Sequence, residues 1–256
     1  MTVDITFLGT GTSHGVPVIG CSCPVCTSQD PRDQRYRSSI LIQTEGRNLL
    51  VDTGPEFRLQ ALRAGIKRLD AVLYTHDHAD HLNGIDDLRV FTHDATLPVY
   101  GNQRLVDCIS GRFGYVLGHC EFAGGLPHLQ TTVLEGSVPV MVAGIEIQPV
   151  PIRHGDLTIF GYRVGNFAYL TDCSGIPDDS WRLLEGLDTL VIGALRRKPH
   201  PTHFSVGQAV EAAQRIGARQ TYLTHLCHEC LHRELEESLP ESVHVAFDTL
   251  RLHVSG

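Results

Sequence analysis

The apolar positions of this chain fall mostly in short runs with period two or no period, the pattern of strands, and only in places with helical spacing. VDITFLG (3–9) predicts a strand running into a Gly-rich turn, GTGTSHG. SSILIQT (38–44) and NLLVD (48–52) predict a hairpin around Glu45 and Gly46. Phe57, Leu59, Leu62 and Ile66 then have roughly helical spacing, with Gly65 near the stop. DAVLYT (70–75) predicts a buried strand, HLNGIDDLRVF (81–91) a helix and LPVYG (97–101) another strand. NQRLVDCISGRFGYVLG (102–118) predicts a helix broken between Gly111 and Gly114. From 129 to 175 the pattern is mostly β, with TIFGYRVG and NFAYLTD joined at Gly165 and Asn166. A short helix, DSWRLLEGL, and a strand, DTLVIGAL, follow. Ser205 caps a helix with Val206, Ala209, Val210 and Ala213 on one face, and Gly217 ends it. TYLTH is a strand, HRELEESL a short charged helix, and VHVAFDTLRLHV closes the chain as β.

This order predicts one domain over residues 1–256, built from two packed β-sheets with helices outside and not from a doubly wound sheet. No apolar run approaches the roughly 18 residues of a membrane helix, so no membrane partner is expected. The start, MTVDITFLGTG, has neither a basic nor a long apolar region of the secretory kind, which makes the cytoplasm the expected compartment. There the eight cysteines are expected reduced, buried or metal-bound. A net charge of −8 argues against a broad nucleic-acid surface.

Composition changes the picture at one point: 15 histidines, several clustered with Asp. THDHADH (75–81) puts His76, His78, Asp80 and His81 directly after a buried strand. His76 and His78 share a side by period-two alternation, and Asp80 and His81 lie just beyond. Imidazole with carboxylate suits Zn²⁺, Mn²⁺ or Fe²⁺. A second dense stretch, GCSCPVC (20–26), holds Cys21, Cys23 and Cys26. Three thiols so close suit a redox centre, a disulfide framework or three quarters of a tetrahedral metal site.

The H-x-H-x-D-H run after a buried strand resembles the metallo-β-lactamase superfamily. That resemblance implies an α/β fold, an αββα sandwich with two central mixed sheets flanked by helices. It also implies two divalent metal ions, Mn²⁺ or Zn²⁺. One would take His76, His78 and His154 of PVPIRHGD; the other would take Asp80, His81 and His225 of TYLTHLCHE. Asp172 of FAYLTDCSG would bridge them. The chemistry implied is attack by a metal-bridging hydroxide on a phosphodiester. Two divalent charges less Asp80, Asp172 and one hydroxide leave a single positive charge, which a phosphodiester anion neutralises. KPHPTHFS resembles the family's proton-donor motif, with His203 the first candidate and His200 the second. The neighbouring Arg196, Arg197 and Lys198 could hold phosphate, although a charge run of this kind is more often simply solvated.

GTGTSHGVPVIGCSCPVC resembles more narrowly the PhnP-like, phosphoribosyl cyclic phosphodiesterase subgroup. There a C-x-C-x-x-C insert, here near 20–37, binds one structural Zn²⁺ whose fourth ligand follows the last active-site His by three residues. His228 has that position, while Cys227 and Cys230 lie near enough in sequence to replace it. Asp86, Asp87 and Arg89 of GIDDLR read either as braces of the metal loop or as surface charge. Cys108, Cys120 and Cys173 read as small buried apolar residues. The implied substrate is a small-molecule phosphodiester, 5-phospho-α-D-ribosyl 1,2-cyclic phosphate, and a homodimer is the expected assembly. The alternatives are a tRNase Z-like nuclease, a thioester hydrolase, and a non-catalytic cofactor-biosynthesis binding protein of the same fold.

Overall fold

A computed structural model describes residues 2–93, 95–118 and 125–255. In chain order its strands are β1 (Thr2–Gly9), β2 (Ser39–Thr44), β3 (Arg47–Val51), β4 (Ala71–Leu73), β5 (Leu97–Gly101), β6 (Leu129–Val133) and β7 (Val140–Val142). There follow β8 (Ile145–His154), β9 (Leu157–Val164), β10 (Phe167–Leu170), β11 (Thr189–Gly193), β12 (Gln220–Thr224), β13 (Val243–Val245) and β14 (Arg251–Ser255). The helices are α1 (Phe57–Ala64), α2 (Ala79–Leu82), α3 (Gln103–Phe113), α4 (Asp178–Trp181), α5 (Val206–Ile216) and α6 (His232–Glu236).

Two seven-stranded mixed sheets form, in the orders β14-β1-β2-β3-β4-β5-β6 and β13-β12-β11-β10-β9-β8-β7. Their facing surfaces bury one apolar cluster that joins Ile5, Phe7, Ile42 and Val51 of the first sheet to Tyr162, Phe167, Tyr169 and Val191 of the second. Two further clusters lie on the outer faces. One packs Leu50, Val72 and Val99 under Phe57, Leu105 and Ile109 of the helices. The other packs Leu170, Leu190 and Leu223 under Ala209 and Ala213 of α5. The sandwich of sheets between helical layers agrees with the pattern read from the sequence. Among the described residues, no helix is long and apolar enough to cross a membrane.

Local departures have physical causes. The helix expected over 81–91 is a four-residue α2 followed by a 3₁₀ segment, Ile85–Phe91. Gly84 divides them, because its N–H donates to Thr53 O at 2.9 Å. The helix expected at 179–187 is likewise a short α4 and a 3₁₀ turn. The break in 102–118 comes at Gly114, where α3 tightens into a 3₁₀ segment. The closing β segment is divided between the two sheets: β13 pairs with β12, and β14 pairs with β1. The crossing is held where Thr249, in the left-handed region at φ 77°, donates to Phe7 O at 2.8 Å. Helix α5 is as expected, with Ser205 and Gln208 in a reciprocal capping box and Gly217 closing it.

Candidate functional site

The ends of β3, β4, β8, β10 and β12 converge on one edge of the sandwich and bring the clustered side chains together. Beyond β4, Thr75 fixes the start of the His-rich loop by donating its N–H to Asp52 Oδ1 and its hydroxyl to Asp52 Oδ2, both at 2.8 Å. His76 and His78 follow, and α2 then turns the chain so that Asp80 and His81 face inward. This loop can sit so close to β3 because residue 54 is glycine: a Cβ there would lie 2.5 Å from Asp80 O. Asp52, Asp172 and His225 all stand just past strand ends with positive φ, at 63°, 55° and 61°. That conformation costs a non-glycine residue roughly 1–2 kcal/mol, and such strain gathers at functional sites.

Two triads result. The ligand atoms of His76, His78 and His154 lie within 4.8 Å of one another, as do those of Asp80, His81, Asp172 and His225. Asp172 touches both groups. Its Oδ1 lies 3.2 Å from His81 Nε2 and 3.2 Å from His225 Nε2. Its Oδ2 lies 3.9 Å from His76 Nε2 and 4.0 Å from His154 Nε2. All seven residues predicted from the sequence therefore meet in one place.

The histidines are held from behind. His81 donates Nδ1–H to Asp52 at 2.7 Å, and His154 donates Nδ1–H to Thr202 O at 2.7 Å. Each therefore presents Nε2 to the cluster. The Nε2 atoms of His76, His81 and His225 are buried without a hydrogen-bond partner. Convergent imidazole nitrogens beside two carboxylates fit divalent cations, which would satisfy lone pairs that nothing else meets.

Electrostatics point the same way. Burial would raise the Asp172 carboxyl, but the charges on His225 and His81 outweigh it and hold it well below the usual range. Asp80 behaves alike, with His81 and His225 overcoming burial. Burial would lower His81, yet Asp172, Asp80 and Asp52 together hold it well above an ordinary imidazole. A cation entering the cluster must displace that proton. His76 is pushed well down, by burial first and then by the charge on His81.

His203 stands over the cluster with Nδ1 3.9 Å from Asp172 Oδ2, stacked on the His225 ring at 4.9 Å. Burial, then the charge on His225, pushes His203 down to about 3. The Asp172 carboxylate opposes that push, and a further anion beside the ring would oppose it more. His203 also lies within ligand distance of His154 and Asp172. His200 is one step further out, its ring 5.2 Å from that of His203.

The cysteine stretch forms a separate group with a partner some two hundred residues away. His228 Nδ1 lies 3.3 Å from Cys21 Sγ, 3.5 Å from Cys23 Sγ and 3.5 Å from Cys26 Sγ. A tetrahedron with Zn–S near 2.3 Å and Zn–N near 2.0–2.1 Å has an S···N edge of about 3.5 Å. Of the three sequence neighbours, His228 is the one placed beside all three thiols. Cys230 belongs to the apolar cluster under α5 instead, and Cys227 is outside the group of four.

Other residues decide readings left open or depart from expectation. Asp86 pairs with Arg89 on the exposed surface, so this part of GIDDLR is surface charge and not a brace. The brace is Asp52, which the sequence reading missed; its signal was a carboxylate closing the apolar strand NLLVD. Thr202 was missed because it acts through its backbone carbonyl. Cys173 is buried as expected, Cys108 is only half-buried, and Cys120 lies outside the described residues.

Comparisons with known proteins bear on the same residues. A family model described as "Beta-lactamase superfamily domain" matches residues 47–226. A crystal structure described as a new diphosphatase from the PhnP family is 42% identical, with a TM-score of 0.93, and the alignment covers 99% of this chain and 98% of that one. An octanoyltransferase of Porphyromonas gingivalis is 43% identical over 95% of this chain, and the match spans 50% of that protein. A ribonuclease Z of Pyrobaculum neutrophilum is 28% identical over 86% of this chain and 93% of its own length.

Proposed function

Because the chain belongs to the β-lactamase superfamily, and within it to the PhnP family of metal-dependent hydrolases, we propose that it hydrolyses small phosphate diesters at a two-metal centre. The observation that carries this reading is Asp172, with one carboxylate oxygen toward each triad. His76, His78 and His154 would hold one ion, Asp80, His81 and His225 the other, and Asp172 would join them. Two divalent ions there would supply Lewis acidity toward phosphoryl oxygens and a nucleophilic water near neutral pH.

The chain's own residues do the rest. Asp52 keeps the His81 ring turned inward, and Thr202 does the same for His154. His203 presents Nδ1 to the space over Asp172, where it would pass a proton to the departing oxygen. The negative charge of a bound phosphate favours the protonated ring this step needs. His200, its ring 5.2 Å from that of His203, is the second candidate for that role. Cys21, Cys23, Cys26 and His228 would hold one structural zinc, a closed thiolate set with no open position for chemistry.

The substrate proposed is 5-phospho-α-D-ribosyl 1,2-cyclic phosphate; a small diphosphate, cleaved at its anhydride, is the rival that the similar diphosphatase suggests. The octanoyltransferase name belongs to a protein about twice as long as the matched region. The test is a panel of bis(p-nitrophenyl) phosphate, cyclic ribose phosphates, nucleotide diphosphates and precursor tRNA, assayed with Mn²⁺ or Zn²⁺. Cleavage of the small esters supports the reading. Cleavage of precursor tRNA alone would favour the ribonuclease Z relatives, and cleavage of none would sink it.

A further inference from the structure

The loop from Asp77 to Asn83 carries His78, Asp80 and His81 into the cluster, and it is gripped on two sides. On the inner side the chain just past β3 holds it: Thr53 N–H donates to His81 O at 2.7 Å, and Gly84 N–H donates to Thr53 O at 2.9 Å. On the outer side lies α3. Arg104, in its first turn, donates Nε–H to Asp77 Oδ1 at 2.9 Å. Arg112, in its last turn, donates Nη2–H to Asn83 Oδ1 at 2.8 Å. Asp77 stands between His76 and His78, and Asn83 closes α2, which holds Asp80 and His81. Eight residues of helix, about 12 Å, separate the two arginines, so one element takes hold of both ends of the loop.

Helix α3 is itself fixed to the sheet. Leu105 and Ile109 are buried in the outer cluster with Leu50, Val72 and Val99. Asn102 caps the helix by accepting from Leu105 N at 2.9 Å, and its Nδ2 donates to Thr158 O on β9 at 3.4 Å. The contact at Asp77 also has a chemical meaning. Asp77 and Asp80 are both carboxylates of the His-rich run, yet only Asp80 joins the ligand groups. The Arg104 guanidinium engages the Asp77 carboxylate outside the cluster, where it does not compete for a cation.

We infer that Arg104 and Arg112 are positioning residues of the metal centre: from α3 they fix the two ends of the loop and set how its histidines and Asp80 face the ions. The inference rests on the metal-centre part of the reading above and on no particular substrate.

The test is calorimetric titration of the full chain with Mn²⁺, after a chelator has emptied the Asp172 centre and left the Cys-bound zinc in place. Arg104→Ala is expected to weaken binding about two- to fivefold, the upper range for an exposed ion pair. Asp77→Ala should weaken it alike, and the double variant should be no weaker than either single one, because one contact is lost in all three. Arg112→Ala should cost about as much. Salt separates the two arms: at about 1 M the Arg104 effect should fade, since exposed charges are screened, while the Arg112 effect, on a neutral acceptor, should persist. Gln103→Ala, which removes a contact to Asp107 within α3, is the control and should leave affinity unchanged. Native affinity in both Arg104→Ala and Arg112→Ala, or equal weakening in Gln103→Ala, overturns the assignment. A raised KM for bis(p-nitrophenyl) phosphate with Mn²⁺ affinity intact would make Arg104 a substrate contact instead. If the native chain binds no ion at this centre, the metal reading fails, and amide exchange of His81 to Gly84 decides this one. Exchange about two- to fivefold faster in the two arginine variants supports the positioning role, and unchanged exchange refutes it.

Discussion

The two ligand clusters share one turn of the chain, with His225 and His228 three residues apart, yet they are built to opposite rules. The His/Asp cluster is buried, its histidines are fixed from behind by Asp52 and Thr202, and three Nε2 atoms are left without partners. The Cys₃His group is half-exposed, close-set around one imidazole nitrogen, and draws its thiols from an N-terminal loop. Hard oxygen and imidazole donors around a shared carboxylate would leave a bound ion open positions; four donors at tetrahedral spacing would leave none. On the reading proposed above, the difference would separate chemistry from bracing. In the Cys-rich group, residues 21–26 are tied to the strand end that also carries His225.

The largest effect should come from Asp172. Asp172→Ala removes the carboxylate that faces both triads. It is expected to bring turnover to background and to release the catalytic metals, measured by metal analysis, with the Cys-bound zinc retained. His203→Ala should lower kcat by about 10²–10⁴-fold with metal content unchanged. Loss of metal in that variant would make His203 a ligand instead, as its distance from His154 and Asp172 also allows. Asp52→Ala should cost about 10–100-fold in metal affinity or activity, because His81 loses its anchor. An equal loss in the control variant Asp86→Ala would break the distinction drawn between brace and surface charge.

These residues differ in how readable they were. THDHADH was legible because four ligand-type residues stand within six positions after an apolar strand. Asp172 and His225 were legible as polar residues closing strands, once the family pattern ordered them. Asp52 closes a strand too, but its partners Thr75 and His81 lie on another strand end and helix, so its role appears only when β3 and β4 pair. GIDDLR left two readings open because Asp86 and Arg89 satisfy each other locally, which no spacing argument reveals. The sandwich itself was legible from alternating runs. The division of the last segment between two sheets was not, since it depends on the contact between Thr249 and Phe7.

A smaller effect concerns the support shared by both regions. Asp248 accepts from Thr10 Oγ1 and Tyr36 N at 2.8 Å each, holding the two ends of the segment that carries the cysteines. Burial raises its carboxyl to about 6 from 3.8, against the pull of Tyr36 and Thr10. The native state thus keeps a proton that the unfolded chain releases in this window. Its contribution to stability is full below 3.8 and is lost as pH rises through about 6. Thermal unfolding from pH 3.5 to 7 should show this fall, and Asp248→Asn should remove it; an unchanged slope would place the titrating group elsewhere.

The central claim is that one cluster is a brace and the other the site of chemistry. Metal content of the native chain set against His228→Ala tests it most directly. The native protein is expected to hold about three ions, one in the Cys₃His group and two at the Asp172 centre. His228→Ala should lose about one of them, as zinc, and melt at lower temperature while keeping the ions around Asp172. A variant that keeps its full zinc content, or that loses the catalytic pair together with the zinc, would contradict the division.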